Sequence, residues 1–145
     1  SPEGVERDFG PGIDGHEPGE DLVASLDGRP VGLVQRSRVA DYPEDLAVFE
    51  RILGTVHPEA VALDYLVGAA TDRGRGVGPA MIDAVVRETF AERPDVPSVL
   101  VAVVAANRRS WRALERAGFR VVGEGDAEPD NPVDDPRHLV LRRDR

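Results

Sequence analysis

The feature that most constrains this chain is a glycine-rich turn between a buried strand and a helix. Residues 60–70 (AVALDYLVGAA) form an apolar run typical of a central strand. Residues 78–90 show the spacing of a helix, which Arg93-Pro94 would end. Between them stands RGRGVG at residues 73–78. Because the start of a helix favours negative charge and glycines permit close approach, the sequence predicts an anion site here.

Two common glycine motifs do not fit this turn. An NTPase phosphate loop requires a lysine, and all 18 basic residues of the chain are arginine. The dinucleotide fingerprint G-x-G-x-x-G fails because Pro79 or Met81 stands where its last glycine belongs. A purely structural turn between a strand and a helix, with no ligand, remains an alternative.

The rest of the pattern predicts one α/β (α+β) domain. The predicted elements are a hairpin at 21–39 around Asp27-Gly28, helices at 41–54 and 107–119, and strands at 97–105, 119–124 and 137–143. Residues 1–20 are rich in glycine, proline and acids, and we expect a loop or a helix remnant there. The domain thus spans 1–145 with its core in 21–145. Strand–helix–strand units beside hairpins predict a mixed sheet with helices against it.

Composition excludes several classes of function. The net charge of −9 argues against nucleic acid as a partner and suits a cationic or neutral one. No apolar run reaches the ~20 residues of a membrane span, so we expect no membrane partner. There is no cysteine, and His16, His57 and His138 lack the spacing of metal ligands, so no metal is expected. Without a targeting signal, the default location is the cytoplasm.

At the glycine turn the chain resembles the GCN5-related N-acetyltransferase (GNAT) family. Arg73, Gly76 and Gly78 fill the family's pyrophosphate pattern, Q/R-x-x-G-x-G/A. The stretch NRRSWRALERAGFRVVGE at 107–124 is similar to the family's last helix and strand, with Asn107 and AGF at 117–119 matching. The resemblance covers about residues 21–145 and is closest to the aminoglycoside 6′-N-acetyltransferases. It implies a mixed, mostly antiparallel sheet flanked by helices.

The resemblance also implies that acetyl-CoA is the co-substrate. The glycine turn would hold the pyrophosphate, backbone N–H groups at the end of the central strand would hold the acetyl carbonyl, and the last helix would contact the pantetheine. The implied cofactor-binding residues are Leu66, Val67, Gly68, Arg73, Gly74, Arg75, Gly76, Val77, Gly78, Pro79, Asn107 and Ser110.

Asp64 is the candidate catalytic residue. In VALDYLVG a carboxylate interrupts an apolar strand, and a buried carboxylate is costly unless it is paired. An ammonium substrate would pair it, as would an arginine or backbone N–H groups of the chain itself. The resemblance places Asp64 where the aminoglycoside enzymes carry an acid that contacts the amino sugar and acts as a base. Further substrate candidates are Tyr65, Asp41, Tyr42 and Glu44.

The implied function is acetyl transfer from acetyl-CoA to a primary amine of a small cationic substrate, such as an aminoglycoside-like amino sugar, with a role in antibiotic resistance. Two departures stand against it. Leu114 occupies the position of a tyrosine that protonates the departing thiolate, and Ala102 replaces an acid of the aminoglycoside enzymes. We expect Leu114 either to point towards the thioester sulfur or to pack as core. The alternative function is a non-catalytic acyl-CoA-binding module or an interaction protein.

The start of the chain carries a further expectation. The family begins with a strand and one or two helices before the hairpin, and only 20 residues precede Asp21 here. We therefore expect a truncated start and a sheet edge at 21–26. That edge should be covered by residues 1–20 or by a second copy of the chain, which would make a homodimer.

Overall fold

A computed structural model describes residues 5–9, 19–26, 28–67, 76–127 and 136–145 of the chain. The strands in these ranges are β1 (Val5–Phe9), β2 (Glu20–Leu26), β3 (Arg29–Arg38), β4 (Val61–Val67), β5 (Ser98–Val104), β6 (Arg120–Asp126) and β7 (Arg137–Asp144). The helices are α1 (Pro43–Leu53), α2 (Val77–Glu92) and α3 (Arg108–Arg116), with a short 3₁₀ turn at Val39–Asp41 before α1.

The described strands form one sheet in the order β1-β2-β3-β4-β5-β7-β6. All neighbours pair antiparallel except β4 and β5, which are parallel. The expectation of a mixed, mostly antiparallel sheet is confirmed, and β4 lies at its centre as its apolar sequence indicated. The parallel pair arises because α2 connects β4 to β5 as a crossover.

Two apolar clusters hold helices on opposite faces of the sheet. The main core joins α2 and α3 to alternate residues of the strands, including Met81, Val99 and Leu114. A smaller core joins α1 to the other face through Phe49, Leu100 and Val140. This arrangement leaves part of the α1 face of the central strands uncovered, and the candidate site lies there.

The ends of α3 follow from local chemistry. Asn107 precedes the helix, and its side-chain oxygen accepts a hydrogen bond from the N–H of Ser110 at 3.3 Å. At the other end, the N–H groups of Gly118 and Phe119 bond to the carbonyls of Glu115 and Leu114, each at 3.0 Å. This Schellman arrangement requires the positive φ of 90° at Gly118, and it turns Phe119 back into the core beside Leu114.

The start of the chain differs from the expectation of a loop or helix remnant. Residues 5–9 form a strand that pairs antiparallel with β2, from Val5 opposite Leu26 to Phe9 opposite Leu22. Alternation in VERDF was the signal for a strand, and the surrounding glycines and prolines obscured it. β1 therefore covers the β2 edge, which is one of the two outcomes expected for it. No second copy of the chain is needed at that edge.

Candidate functional site

The two parallel strands part shortly after they meet. β4 and β5 pair only at Val61 with Val99 and at Ala62 with Leu100. Beyond those pairs β4 stays with β3 as far as Val67, and β5 stays with β7 as far as Val104. Because successive residues of a strand turn their backbone groups to opposite sides, alternate residues of β4 beyond Ala62 present N–H and C=O groups to the gap.

A cavity of about 560 Å³ lies at this gap. Its walls come from the parting strands, the start of β2, the end of β3, helix α1 and the first turn of α3. Residues on both sides of the gap line it, including Leu63 and Asp64 of β4 and Val101 and Val103 of β5. The cavity thus connects the α1 face of the sheet with the space between the separated strands.

Asp64 lines this cavity, but it is not the buried carboxylate that the sequence suggested. Its side chain is exposed, since its side of β4 faces the cavity rather than a helix. One carboxylate oxygen, Oδ1, accepts a hydrogen bond from the N–H of Tyr65 at 2.9 Å. A backbone N–H therefore satisfies part of the carboxylate, as the structural alternative required. The side chain remains accessible to an ammonium in the cavity.

The cavity is strongly acidic on its α1 side. Its lining carboxylates are Glu20, Asp21, Asp45 and Asp64. Among the described lining residues the basic ones are His138 and Arg36, and the guanidinium of Arg36 is ion-paired with Glu20 at 2.8 Å and with Glu92 at 3.3 Å. The field in the cavity therefore favours a cation.

The substrate candidates at residues 41–44, just before and at the start of α1, differ in where they lie. Tyr42 lines the cavity, where a substrate could reach it. Asp41 and Glu44 are not among the residues that line it, and their contact with a substrate stays a prediction. The carboxylate of Asp41 instead accepts a hydrogen bond from the guanidinium of Arg38 at 2.9 Å. Asp45, the residue after Glu44 in the first turn of α1, is the acid that lines the cavity. The helical period decides which acid of the first turn faces inward, and the sequence did not fix that phase.

Tyr65 meets Ser110 across the gap. The Tyr65 hydroxyl lies 2.6 Å from Ser110 Oγ and donates to the Ser110 carbonyl oxygen at 3.2 Å. Burial raises the pKa of Tyr65, and the nearby charge of Asp64 raises it further, whereas the Ser110 hydrogen bond lowers it. Both hydroxyls belong to residues that line the cavity. The phenol is therefore protonated at neutral pH.

The first turn of α3 supplies the two predicted residues of the last helix. Asn107 and Ser110 both line the cavity, and Asn107 also caps the helix. Leu114, one turn later, is fully buried in the main core and does not line the cavity. The expectation that Leu114 points towards the thioester sulfur is therefore not met, and its reading as a core residue is correct.

The start of α2 fits an anion. Gly76 is the residue before the helix, with φ 75° in the left-handed region, and as a glycine it has no side chain of its own to cap the first turn. Val77, Gly78 and Pro79 follow as the first residues of the helix, and no acid stands among them. Because backbone N–H groups at such an end lack helical partners, they suit a pyrophosphate. Gly68, Arg73, Gly74 and Arg75 lie outside the described residues.

Several residues that line the cavity were not predicted from the sequence. Asp21 and Gln35 sit on strands whose alternation indicated only which side chains share a face, and Asp45 was one acid among several. His138 is nearly buried beside the cavity, and its Nδ1 lies 2.6 Å from the carbonyl oxygen of Pro136. It stands directly across from Val104 on the β5–β7 ladder. Pairing of β7 with β5 brings it there, and no local signal in the chain indicates that pairing.

Two findings bear on other kinds of site. In the described part of the chain, no group of three or more histidines and carboxylates is placed to hold a metal ion. No helix in those ranges has the length and apolar character that crossing a bilayer demands.

Comparison with known proteins identifies the family of the chain. The family model described as the acetyltransferase (GNAT) domain matches residues 1–127. None of the curated proteins compared with the chain matches it.

Solved structures share the fold. AAC(6′)-Ib in complex with ribostamycin and coenzyme A superposes with a TM-score of 0.74 at 23% identity, covering 89% of this chain and 65% of that one. An aminoglycoside N(6′)-acetyltransferase from Legionella pneumophila gives 0.62 at 19%, covering 91% and 66%. The ribosomal-protein-S5-alanine acetyltransferase from Vibrio fischeri gives 0.65 at 15%, covering 89% and 63%. The chain thus spans about two thirds of the length of these proteins.

Proposed function

The chain belongs to the GNAT acetyltransferase family, and we propose that it transfers the acetyl group of acetyl-CoA to a primary amine of a small cationic molecule, such as an amino sugar. The observation that carries this proposal is the acidic cavity. It runs from the carboxylates of Asp21, Asp45 and Asp64 to the gap where β4 and β5 part. A cationic acceptor and a thioester can therefore meet in one continuous space.

The described residues fit acetyl-CoA at two places. The start of α2 at Gly76 suits its pyrophosphate, and the gap between β4 and β5 exposes backbone N–H groups to its acyl arm. When bound, acetyl-CoA supplies an acetyl group activated as a thioester. Backbone N–H groups in the stretch Leu66–Gly68 would hold the carbonyl oxygen as negative charge develops there.

Asp64 acts on the acceptor in this proposal. Its carboxylate positions the ammonium group and takes a proton from it, so that a neutral amine attacks the acetyl carbon. Its exposed position at the cavity supports this role, because the amine must reach the carboxylate from solvent. Tyr42, on the same side, would shape the acceptor end of the cavity.

The acceptor is proposed as a cation rather than as an aminoglycoside in particular. Ala102 lines the cavity. The resemblance to the aminoglycoside enzymes implies that they carry an acid at this position. Asp21 and Asp45, from β2 and α1, supply carboxylates at other points of the wall. The same fold also serves a protein named for acetylation of ribosomal protein S5 alanine, so the fold itself selects no acceptor.

Binding and turnover test the proposal separately. Acetyl-CoA at about 100 times its Kd should stabilise the protein by about 2.7 kcal/mol, measured as a thermal shift. Release of CoA is then followed with a panel of mono-, di- and polyamines and amino sugars, and we expect release with the polycationic members. The absence of any shift would contradict acetyl-CoA binding. A thermal shift without release of CoA for any acceptor of the panel would favour a non-catalytic acyl-CoA-binding module.

A further inference from the structure

The reaction proposed above must return a proton to the sulfur atom, and a hydrogen-bonded pair of hydroxyls beside the gap between β4 and β5 suits that task. A thiol has a pKa near 8.5, so a departing thiolate leaves more easily when a proton is delivered as the bond breaks. The residue where the family carries a tyrosine, Leu114, lies in the core without a hydroxyl. The hydroxyl pair, Tyr65 and Ser110, lies instead on the cavity wall.

The geometry of the hydroxyl pair suits a relay. Tyr65 Oη lies 2.6 Å from Ser110 Oγ, and either hydroxyl can be the donor. When the phenol hydrogen turns from the Ser110 carbonyl oxygen, 3.2 Å away, to Ser110 Oγ, the serine hydrogen is free to bond elsewhere. The two residues come from β4 and from the first turn of α3, on opposite sides of the gap between the parting strands. A thioester that enters this gap passes between the elements that carry them.

We infer that Ser110 donates the proton to the sulfur of the departing CoA and that Tyr65 holds Ser110 in place and restores its proton. This inference rests on the proposed acetyltransferase function. The nitrogen–carbon bond forms and the carbon–sulfur bond breaks. The sulfur takes the Ser110 hydrogen, and Ser110 takes that of Tyr65. The phenolate then takes a proton from water. The ammonium loses two protons in all and the sulfur gains one, so each turnover releases one proton.

The buried position of Tyr65 keeps the phenol protonated before the reaction. Desolvation disfavours the phenolate, so Tyr65 stays protonated before the reaction and regains its proton soon after it. Ser110 is then the catalytic residue, because it touches the reacting sulfur, and Tyr65 is a positioning residue that acts through it. The helix cap does not depend on the serine hydroxyl, since Asn107 accepts from the Ser110 backbone N–H.

Four variants and a control test the relay in the intact chain. Tyr65→Phe and Ser110→Ala should each lower kcat by about 10²-fold, the lower end for loss of a general acid. The double variant should fall little further, because the two hydroxyls act as one unit. Ser110→Thr, which keeps a hydroxyl, should retain most of the activity. Ser98→Ala removes a buried serine hydroxyl from β5 outside this cavity and should leave kcat unchanged.

A binding measurement gives a readout that does not depend on turnover. Calorimetry compares CoA with desulfo-CoA at pH 7 and at pH 9, where the free thiol is largely ionised. The parent should gain affinity for CoA over desulfo-CoA at the higher pH, because Ser110 donates to the thiolate, and Ser110→Ala should lose that gain. Unchanged kcat in both single variants, or an unchanged preference for CoA in Ser110→Ala, would overturn the relay while leaving acetyl transfer intact. A parent that shows the CoA preference without turnover would support the Ser110 contact and contradict the proposed reaction.

Discussion

Gln35 lies directly across the β3–β4 ladder from Asp64, and on its other side its Nε2 donates to Asp21 Oδ1 at 3.1 Å. The three side chains form a row across three neighbouring strands, because Asp21 is itself the ladder partner of Gln35. Strands are spaced by about 4.8 Å, so the Cα atoms of the two aspartates lie roughly 10 Å apart. The neutral amide separates two carboxylates that both line the cavity, and the row therefore offers two places for positive charge.

The first prediction concerns Asp64. Asp64→Asn keeps the shape and removes the charge, so kcat/KM for the amine should fall by about 10²-fold or more, as for loss of a base, while affinity for acetyl-CoA holds. Steady-state kinetics and calorimetry measure the two quantities. Glu115→Gln removes the same charge from an exposed site on α3 outside the cavity and should change neither. Weakened acetyl-CoA binding with intact amine turnover would contradict the proposed role of Asp64 as the residue that acts on the amine.

The second prediction concerns the far end of the row. Asp21→Asn should raise KM several-fold for an acceptor with two ammonium groups, the size of effect expected from a solvent-exposed ion pair. An acceptor with a single ammonium group should be unaffected, since Asp64 alone would hold it. Kinetics with a diamine and a monoamine of similar length make the comparison. An equal loss for both acceptors would mean that Asp21 acts on the shape of the cavity and not on the second charge.

The third prediction tests the anion site at the start of α2. Gly76 has φ 75°, a conformation that asparagine and aspartate both tolerate better than other residues do. Gly76→Asn and Gly76→Asp differ only in charge, so their difference isolates electrostatics. Gly76→Asp should weaken acetyl-CoA binding by roughly tenfold more than Gly76→Asn, about 1.4 kcal/mol, through repulsion of the pyrophosphate.

Thermal unfolding without ligand provides the matching control at this position. An aspartate at the start of a helix interacts favourably with the helix dipole, so Gly76→Asp should be at least as stable as Gly76→Asn. Weaker binding therefore cannot be attributed to a damaged fold. Equal affinity of the two variants for acetyl-CoA would place the pyrophosphate elsewhere.

The fourth prediction concerns Leu114, which has 0% of its surface exposed. Leu114→Tyr adds volume to a packed core and should destabilise the protein by about 1–3 kcal/mol, whereas Leu114→Met should cost less than about 1.5 kcal/mol. Urea unfolding measures both. Since the hydroxyl pair supplies the proton, kcat of the folded tyrosine variant should not rise. A rise in kcat at unchanged stability would mean that position 114 does face the sulfur.

The fifth prediction concerns the buried Arg36, whose Nη1 donates to Thr89 Oγ1 of α2 at 3.0 Å. Burial lowers the pKa of Arg36, and the neighbouring Glu92 opposes this. Glu20→Gln with Glu92→Gln leaves the buried cation without its carboxylates and should cost about 2 kcal/mol, less than the 3–5 kcal/mol of a fully buried pair because both glutamates are partly exposed.

Replacement of the cation itself provides the comparison. Arg36→Met removes the buried charge and keeps an apolar chain of similar length, so it should cost less than the double glutamine change. Thr89 keeps a partner in that variant, the carbonyl of Val85 at 2.7 Å. Denaturant unfolding of the two variants decides the order. A larger loss in Arg36→Met would mean that the guanidinium contributes mainly through packing and through its bond to Thr89.

The sequence by itself determined most of the local structure. The apolar runs at 61–67 and 98–104 and the helical pattern that ends near Gly118 are short-range features, and each element formed where its pattern predicted. The strand–turn–helix order around Gly76 likewise requires only neighbours in the chain. The strand at 5–9 is the exception, because few alternating residues among glycines and prolines carry too weak a local signal.

Only the tertiary structure decided which of these residues share a cavity. Pairing of β7 with β5 brings His138 to the wall, and the β2–β3–β4 register aligns Asp21, Gln35 and Asp64. The parting of β4 from β5 sets Tyr65 against Ser110, 45 residues further along the chain. The repeat of apolar residues, every two residues in a strand and every 3.6 in a helix, predicts which side chains share a face of one element. This repeat does not predict which other element lies opposite that face, because the arrangement of the elements depends on the burial of the whole core.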